Sequence, residues 1–308
     1  MKHYDSQEAA LADALRLASG MTYKFAVSGI ERGGGKAVIS VPGDLEPGSR
    51  PDLLRRYGSL VRQLGGFFNT GPDVGTSSAD MDIIAETGSP YVFARTPEAG
   101  GAGSSGPITA LGVFTGIQVA CETVFGEASL QGRKMLVQGA GSVGGILIEQ
   151  LRNAGAEVMF SEVDDETIQH FRDEQGLQFI PGEEVFATEC DVFAPCALGG
   201  VLNEGTIPQL KCRVIVGAAN NQLAHPEDAE RLRARGIIYA PDYVVNVGGA
   251  MAIPGIELLG WSQVEAEERV IKSVRRALHR IFEMADEESI TPEHAARRIA
   301  EEQLSKTG

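Results

Sequence analysis

The chain has 308 residues, with 42 acidic and 27 basic side chains and a formal net charge of −15. That length suffices for about two domains, each able to bury its own core, and the charge repels nucleic-acid phosphates and anionic lipid, which favours a small-molecule ligand over either. Four cysteines, Cys121, Cys190, Cys196 and Cys212, form no Cys-x-x-Cys pair, and the first residues lack the apolar run of a signal peptide, so a cytoplasmic protein with reduced thiols is expected.

In chain order, Asp5 with Glu8 predicts a capped start to a helix whose apolar positions, Leu11, Ala14, Leu15 and Ala18, recur at helical spacing until Gly20. Lys24 and Lys36 then flank Gly33, Gly34 and Gly35 in an otherwise apolar stretch. Apolar neighbours desolvate an ammonium and lower its pKa, and glycines can take φ > 0 and admit a ligand to the backbone. The pair is therefore read as chemical rather than as two amines snorkelling to solvent. A β-like run over 36–41 precedes a second helix, marked by Leu53, Leu54, Tyr57, Leu60, Val61 and Leu64 and closed by Gly65 and Gly66. Residues 96–107, rich in Gly, Ser and Pro, are expected to be loop ahead of a helix over 111–125. No segment is read as approaching the roughly 18 apolar residues of a membrane span.

From Lys134 strands alternate with helices. Strand 135–138, helix 143–151 and strand 158–162 are followed by strand candidates at 192–194, 214–217 and 237–240, the pattern of a parallel doubly wound sheet. Gly139-Ala140-Gly141-Ser142-Val143-Gly144 lies between the first strand and its helix and fits Gly-x-Gly-x-x-Gly. Its glycines admit a pyrophosphate to a helix N-terminus, whose N–H groups and dipole favour negative charge. Glu162 ends the next strand, 23 residues after Gly139, where an acidic group bonds ribose hydroxyls. Val163, Asp164, Asp165 and Glu166 follow with no Lys or Arg to receive a 2′-phosphate, so NAD is expected over NADP. The last three are read as a solvated helix start.

Further on, Val270, Ile271, Val274, Leu278, Ile281 and Phe282 form one helical stripe suited to interdomain packing, and Thr291-Pro292 cap a last short helix. His3, His170, His225, His279 and His294 are scattered without ligand spacing, so no metal is expected. Gly-Gly-Gly-Lys is not a P-loop: Ile30 stands where the first glycine of that motif belongs, and Ala37 replaces its Ser or Thr. The fold expected is α/β with two domains. An N-terminal α/β substrate domain (1–112, with helix 283–308 packing back onto it) is followed by a Rossmann-type doubly wound dinucleotide-binding domain (113–282).

Several blocks taken together carry a resemblance. They are Gly-Met-Thr-Tyr-Lys (20–24), Gly-Gly-Gly-Lys-Ala-Val-Ile (33–39), Asp-Val-Gly-Thr (73–76), Asp-Met-Asp-Ile-Ile (80–84), Asp-Val-Phe-Ala-Pro-Cys-Ala-Leu-Gly-Gly (191–200), Gly-Ala-Ala-Asn-Asn-Gln-Leu (217–223) and Tyr-Ala-Pro-Asp-Tyr-Val-Val-Asn (239–246). In this order, over nearly the whole chain, they resemble the leucine, valine and phenylalanine dehydrogenases of the glutamate dehydrogenase superfamily. That family converts L-amino acids and NAD to 2-oxo acids, ammonium and NADH in a cleft between its two domains, and the resemblance implies the same cleft between 1–112 and 113–282. The resemblance implies that Lys24 holds the substrate carboxylate, that Lys36 is a lysine of lowered pKa which polarises the carbonyl and activates water, and that Asp73 exchanges protons with the amino group. It places Asn221 near that amino group. Thr109, Ala219, Asn220 and Asn246 fall on the cofactor side, Asn246 by the nicotinamide.

Read from the residues alone, Asp73 serves equally as an Asx-turn residue after Gly71-Pro72, and the three asparagines as turn or strand-end residues. Gly71, Ala250 and Ile253 match the family's side-chain pocket. Two of the three are small, which implies a bulky, even aromatic, substrate side chain. The resemblance also implies a homo-oligomer.

Two departures stand out. The match starts well inside the family's first domain, so a segment carrying a Gly-Gly-x-Arg turn, sheet strands and an oligomer contact is expected to be missing, either because the chain is short or because its start lies upstream. Phe25 replaces the Asn that follows the first lysine. The alternative is a catalytically silent NAD-binding relative with a regulatory or structural role. Retention of Lys24, Lys36 and Asp73 argues against it, because an unused cluster of charges costs stability.

Overall fold

The computed structural model describes residues 1–43 and 45–307. They form two compact units, one comprising 1–25, 31–105 and 250–266, the other 26–30, 106–249 and the chain from Glu267 onward.

The first unit opens with α1 (Gln7–Ser28), whose residues from Ala26 onward are counted with the second unit; the helix continues past Gly20 and ends where Gly29 turns left-handed at φ 71°. A mid-helix glycine costs only about 1 kcal/mol relative to alanine, and burial of Ala26 and Val27 outweighs it. Ser6 rather than Asp5 caps the start, with the Ala9 N–H donating to Ser6 Oγ at 3.1 Å. Lys24 is therefore a helical residue. Next come α2 (Arg50–Gln63), closed by the left-handed Gly65 and Gly66, and α3 (Ser78–Gly88), which the sequence reading did not anticipate. A reciprocal cap between Ser77 and Asp80 starts α3, and Arg50 grips the Asp80 carboxylate with Nε at 2.9 Å and Nη2 at 2.8 Å. Gly58 lets α2 and α3 close together: a Cβ there would lie 2.3 Å from the Ile84 carbonyl oxygen. Leu54, Met81, Ile84 and Val92 fill the core beneath. The run 36–41 is not a strand. Its one ladder contact is an isolated bridge between Ser40 and Lys2.

The second unit begins with α4 (Gly106–Phe125), so the Gly/Ser/Pro loop ends at 105 rather than 107. By length and composition α4 could cross a membrane, contrary to the sequence reading. Its apolarity belongs to an interior helix. A Cβ at Gly112 would meet the Val245 carbonyl oxygen at 2.5 Å and one at Gly116 the Val245 side chain at 2.6 Å, so backbone packs directly against it.

There follow β1 (Lys134–Gln138), α5 (Gly144–Asn153), β2 (Glu157–Ser161), α6 (Asp165–Gln169), β3 (Gln178–Phe179), β4 (Val192–Pro195), β5 (Val214–Ile215), α7 (Asp228–Ala234) and β6 (Ile238–Tyr239). After them come α8 (Asp242–Val245), α9 (Gly248–Leu259), α10 (Gln263–Glu287) and α11 (Pro292–Thr307). From Ala250 to its end, α9 belongs to the first unit.

The six strands form one parallel sheet in the order β3-β2-β1-β4-β5-β6, with the order reversing beside β1, where doubly wound sheets hold their ligands. Gln138 is level with Ser161 and with Pro195, so Gly139, Glu162 and Cys196 emerge together at the carboxyl edge. Leu136, Phe193, Ile215, Leu202 and Leu232 lie in the core cluster that supports this edge. The helix expected over 283–308, whose last residue lies outside the described ones, does not run as drawn. α10 extends to Glu287, and α11 packs on β6, where Ala295, Ala296, Ile299 and Ala300 are buried.

Candidate active site

In the first unit Lys36 Nζ donates to Asp73 Oδ2 in an ion pair. Asp73 sits in a tight turn: its N–H donates to Thr76 Oγ1 at 2.9 Å, its Oδ1 accepts the Val74 N–H at 2.7 Å, and its carbonyl accepts the Thr76 N–H at 2.8 Å. One carboxylate oxygen thus braces the turn and the other faces the lysine. Burial alone would push the Asp73 carboxyl up. The charge and hydrogen bond of Lys36, the Val74 N–H and the charge of Lys24 outweigh it and hold the group below its usual value. Lys24, reaching from α1, therefore acts electrostatically on the same carboxylate.

The glycines between the lysines work differently from the sequence expectation. None of the three takes a positive φ. Gly34 is required because a Cβ would lie 2.1 Å from the Thr22 nitrogen and 2.6 Å from the Ala18 carbonyl oxygen on α1, and Gly35 because one would lie 2.9 Å from the Phe68 ring. They let the segment carrying Lys36 lie flat on the helix that carries Lys24.

Of the pocket residues, Gly71 is exposed, and a Cβ there would meet only the Phe93 carbonyl oxygen, at 3.9 Å. Phe93, fixed by its N–H donating to the Thr70 carbonyl at 2.8 Å, packs with Ile253 and Ala94. Ala250 precedes Ile253 by nearly one turn on α9 and is half-buried. Sequence reasoning missed Phe93, and it missed Glu257, whose Oε1 accepts the N–H groups of Ala94 at 2.9 Å and Ala102 at 2.7 Å. Those bonds secure the loop at Ala94, a non-glycine residue held at φ 56°. No pattern in the sequence marks either residue.

In the second unit Gly139, at φ 92°, needs glycine, and Gly144 packs so closely that a Cβ would lie 1.9 Å from the Gly139 carbonyl oxygen. Gly141 faces open space, with nothing within 4 Å of a Cβ. Ser142 is exposed, and Val143, the N-cap of α5, has no side-chain oxygen to occupy the first-turn N–H groups. Glu162 follows β2 directly. Its Oε2 accepts the Ala140 N–H at 2.7 Å and its Oε1 the Val163 N–H at 2.6 Å, so it also braces the glycine turn. A pyrophosphate and ribose fit this donor set: two glycines shape the turn, the third leaves room, and the carboxylate keeps acceptor capacity.

The turn 217–222 carries the asparagines. Asn246 is buried; its Nδ2 donates to the Ala218 carbonyl at 3.0 Å and to Asn220 Oδ1 at 2.9 Å, while its Oδ1 has no partner among the described residues. Ala219 donates its N–H to the Pro195 carbonyl at 3.0 Å. Asn220 and Asn221 are exposed at the crest, Asn221 at φ 54°. Thr109 Oγ1 accepts the Gly249 N–H at 3.3 Å. Cys196, beside this turn, has its thiol pushed up to about 12 by burial. Among the described residues no group of three or more His, Cys, Asp or Glu could hold a metal ion.

Residues 160–307 match the family described as Glutamate/Leucine/Phenylalanine/Valine dehydrogenase, and residues 3–89 match the Glu/Leu/Phe/Val dehydrogenase dimerisation domain. The chain belongs to this family. Among curated Glu/Leu/Phe/Val dehydrogenase relatives, it is 40% identical over 301 residues to a leucine dehydrogenase of Geobacillus stearothermophilus, a match covering 98% of this chain and 81% of that one. A valine dehydrogenase of Streptomyces virginiae is 43% identical over 305 residues, covering 98% and 84%. The crystal structure of L-tryptophan dehydrogenase from Nostoc punctiforme superposes with a TM-score of 0.82 at 39% identity, covering 99% of this chain and 86% of that one.

Proposed function

We propose that the protein catalyses the NAD-dependent, reversible oxidative deamination of an L-amino acid with a bulky apolar or aromatic side chain, giving the 2-oxo acid and ammonium. The observation that carries this reading is the ion pair of Lys36 with Asp73 under the influence of Lys24, two ammoniums and one carboxylate gathered by the first unit.

In this reading Lys24 binds the substrate carboxylate. Lys36 and Asp73 hold protons beside the reacting carbon, and their contact is a route by which one proton moves between them. Lys36 Nζ orients the water or carbonyl oxygen, and Asp73 Oδ2 takes and returns the proton of the amino nitrogen. Asn221, at the turn crest, bonds that nitrogen. NAD, when bound, supplies the hydride acceptor. Gly139, Gly141, Ser142, Val143 and Gly144 would cradle its pyrophosphate and Glu162 its ribose. Thr109, Ala219, Asn220 and the unpaired acceptor of Asn246 would lie toward its carboxamide.

Relatives named for leucine, valine and tryptophan match at 40, 43 and 39% identity, so overall similarity is neutral on the side chain. Gly71 supports the bulky side chain, since a Cβ there would meet only the Phe93 carbonyl oxygen, 3.9 Å away. The dimerisation-domain match over 3–89 supports a homo-oligomer. NADH absorbance, followed with purified protein, NAD or NADP and a panel of amino acids, tests the reading. Turnover with phenylalanine or tryptophan above valine, and with NAD above NADP, is expected. No NADH with any amino acid overturns the activity, and a preference for valine overturns the substrate class.

A further inference from the structure

Gln222 and Asp242 are buried polar side chains, at 0% and 6% exposure. Such groups are costly unless their hydrogen bonds do something an apolar filler could not. Here they hold one turn. Gln222 Nε2 donates to the Gly217 carbonyl at 2.8 Å and to the Ala219 carbonyl at 3.0 Å, and the Gln222 N–H donates to Asp242 Oδ2 at 2.8 Å. Asn246 lies four residues beyond Asp242, one helical turn away, and its Nδ2 takes the Ala218 carbonyl and Asn220 Oδ1. The short helix α8 thus grips the turn 217–222 at both of its ends.

Two further carbonyls of the turn are bonded: the Gly200 N–H donates to Asn221 O at 2.8 Å and the Leu202 N–H to Gln222 O at 3.0 Å. The turn so held contains a strained position, Asn221 at φ 54°. Gly199 allows it, since a Cβ there would lie 2.5 Å from Asn220 O and 2.9 Å from Asn221 O. Gln222 also leaves its own Oε1 buried and without a partner among the described residues, the mark of a side chain kept for what it positions rather than for stability.

We infer that Asp242 and Gln222 are positioning residues, a clamp that fixes the direction in which Asn220 and Asn221 present their amides to cofactor and substrate. The inference rests on the dehydrogenase reading above for its catalytic consequence. It does not rest on it for the clamp itself.

The test uses the full-length protein with Gln222→Met, Asp242→Ala and Asp242→Asn, the last keeping an oxygen that can accept the Gln222 N–H. Gln222→Met and Asp242→Ala are expected to lower kcat/KM for the amino acid by about 10- to 100-fold, and Asp242→Asn to recover most of it. In an Asn220→Ala, Asn221→Ala double background Gln222→Met should cost less than about twofold, because it acts through residues already removed. Hydrogen exchange of the 217–223 peptide should quicken in Gln222→Met and Asp242→Ala and stay slow in Asp242→Asn. Equal kinetic losses in both backgrounds, or exchange unchanged by Gln222→Met, overturns the clamp. Should the unmodified protein form no NADH, the dehydrogenase reading fails and the exchange measurement still decides the clamp.

Discussion

Lys36 and Asp73, 37 residues apart, meet as an ion pair in which the carboxylate divides its work: Oδ2 faces the lysine and Oδ1 accepts the Val74 N–H at 2.7 Å. A group that served only as a turn residue would need Oδ1 alone. Asp73→Asn keeps a side-chain oxygen for Val74 and removes the proton acceptor, so it should leave the melting temperature within a few degrees and lower kcat by roughly 10²- to 10⁴-fold, the usual range for a general acid or base. Lys36→Ala should lose at least as much. Steady-state kinetics beside thermal melts checks both, and an alanine at 36 with undiminished kcat would remove the mechanism.

The glycine turn separates packing from binding. Gly144→Ala drives a Cβ to 1.9 Å from the Gly139 carbonyl oxygen and must distort the start of α5, so both stability and NAD affinity should fall. Gly141→Ala adds a methyl to open space. Its melting temperature should be unchanged without cofactor, while its NAD dissociation constant, measured by calorimetry, rises at least about tenfold because the methyl occupies the approach of the pyrophosphate.

What the sequence disclosed follows from how local each signal is. The sheet and the glycine fingerprint were readable because alternating apolar runs and a fixed spacing are local, and β1, β2 and Glu162 stand where they were expected. Helix α1 runs past Gly20, where local propensity alone would end it, because propensity does not include the burial of Ala26 and Val27. The expected strand at 36–41 failed since a strand needs a neighbour, and its bridge is to Lys2. Strand β3, two residues long, is defined only by its pairing with β2. At the site, Lys36 and Asp73 are legible in sequence motifs, but Phe93, Glu257, Gln222 and Asp242 act through contacts with partners up to 163 residues distant, which no spacing rule reports.

Substrate choice should respond to Gly71. Replacing it by valine fills space bounded by the Phe93 carbonyl and should reverse the preference, favouring smaller side chains. A methylene in an apolar pocket discriminates by about 1–3 kcal/mol, or 10- to 200-fold. The ratio of kcat/KM for phenylalanine to that for valine should therefore drop by at least about tenfold in Gly71→Val. An unchanged ratio would mean that position 71 does not line the pocket.

Glu293, buried at 6% exposure on α11, gives a prediction about stability and pH. Burial pushes its carboxyl up to about 7, against the opposing bond from Arg297 Nε at 2.7 Å and with a further push from the charge of Asp242. The unfolded chain releases this proton near pH 4.5 and the folded one near 7, so between those values the native state binds more protons. Stability from this residue therefore falls as pH rises through that window and stays low above it. At 1.36 kcal/mol per pKa unit the cost at pH 8 is on the order of 3 kcal/mol. Glu293→Gln, whose amide oxygen can still accept from Arg297, should melt several degrees above the unmodified protein at pH 8 and at nearly the same temperature at pH 4.5. Thermal melts across pH 4.5–8 measure this directly, and equal melting temperatures at pH 8 would mean that the buried carboxyl is ionised in the native state without penalty.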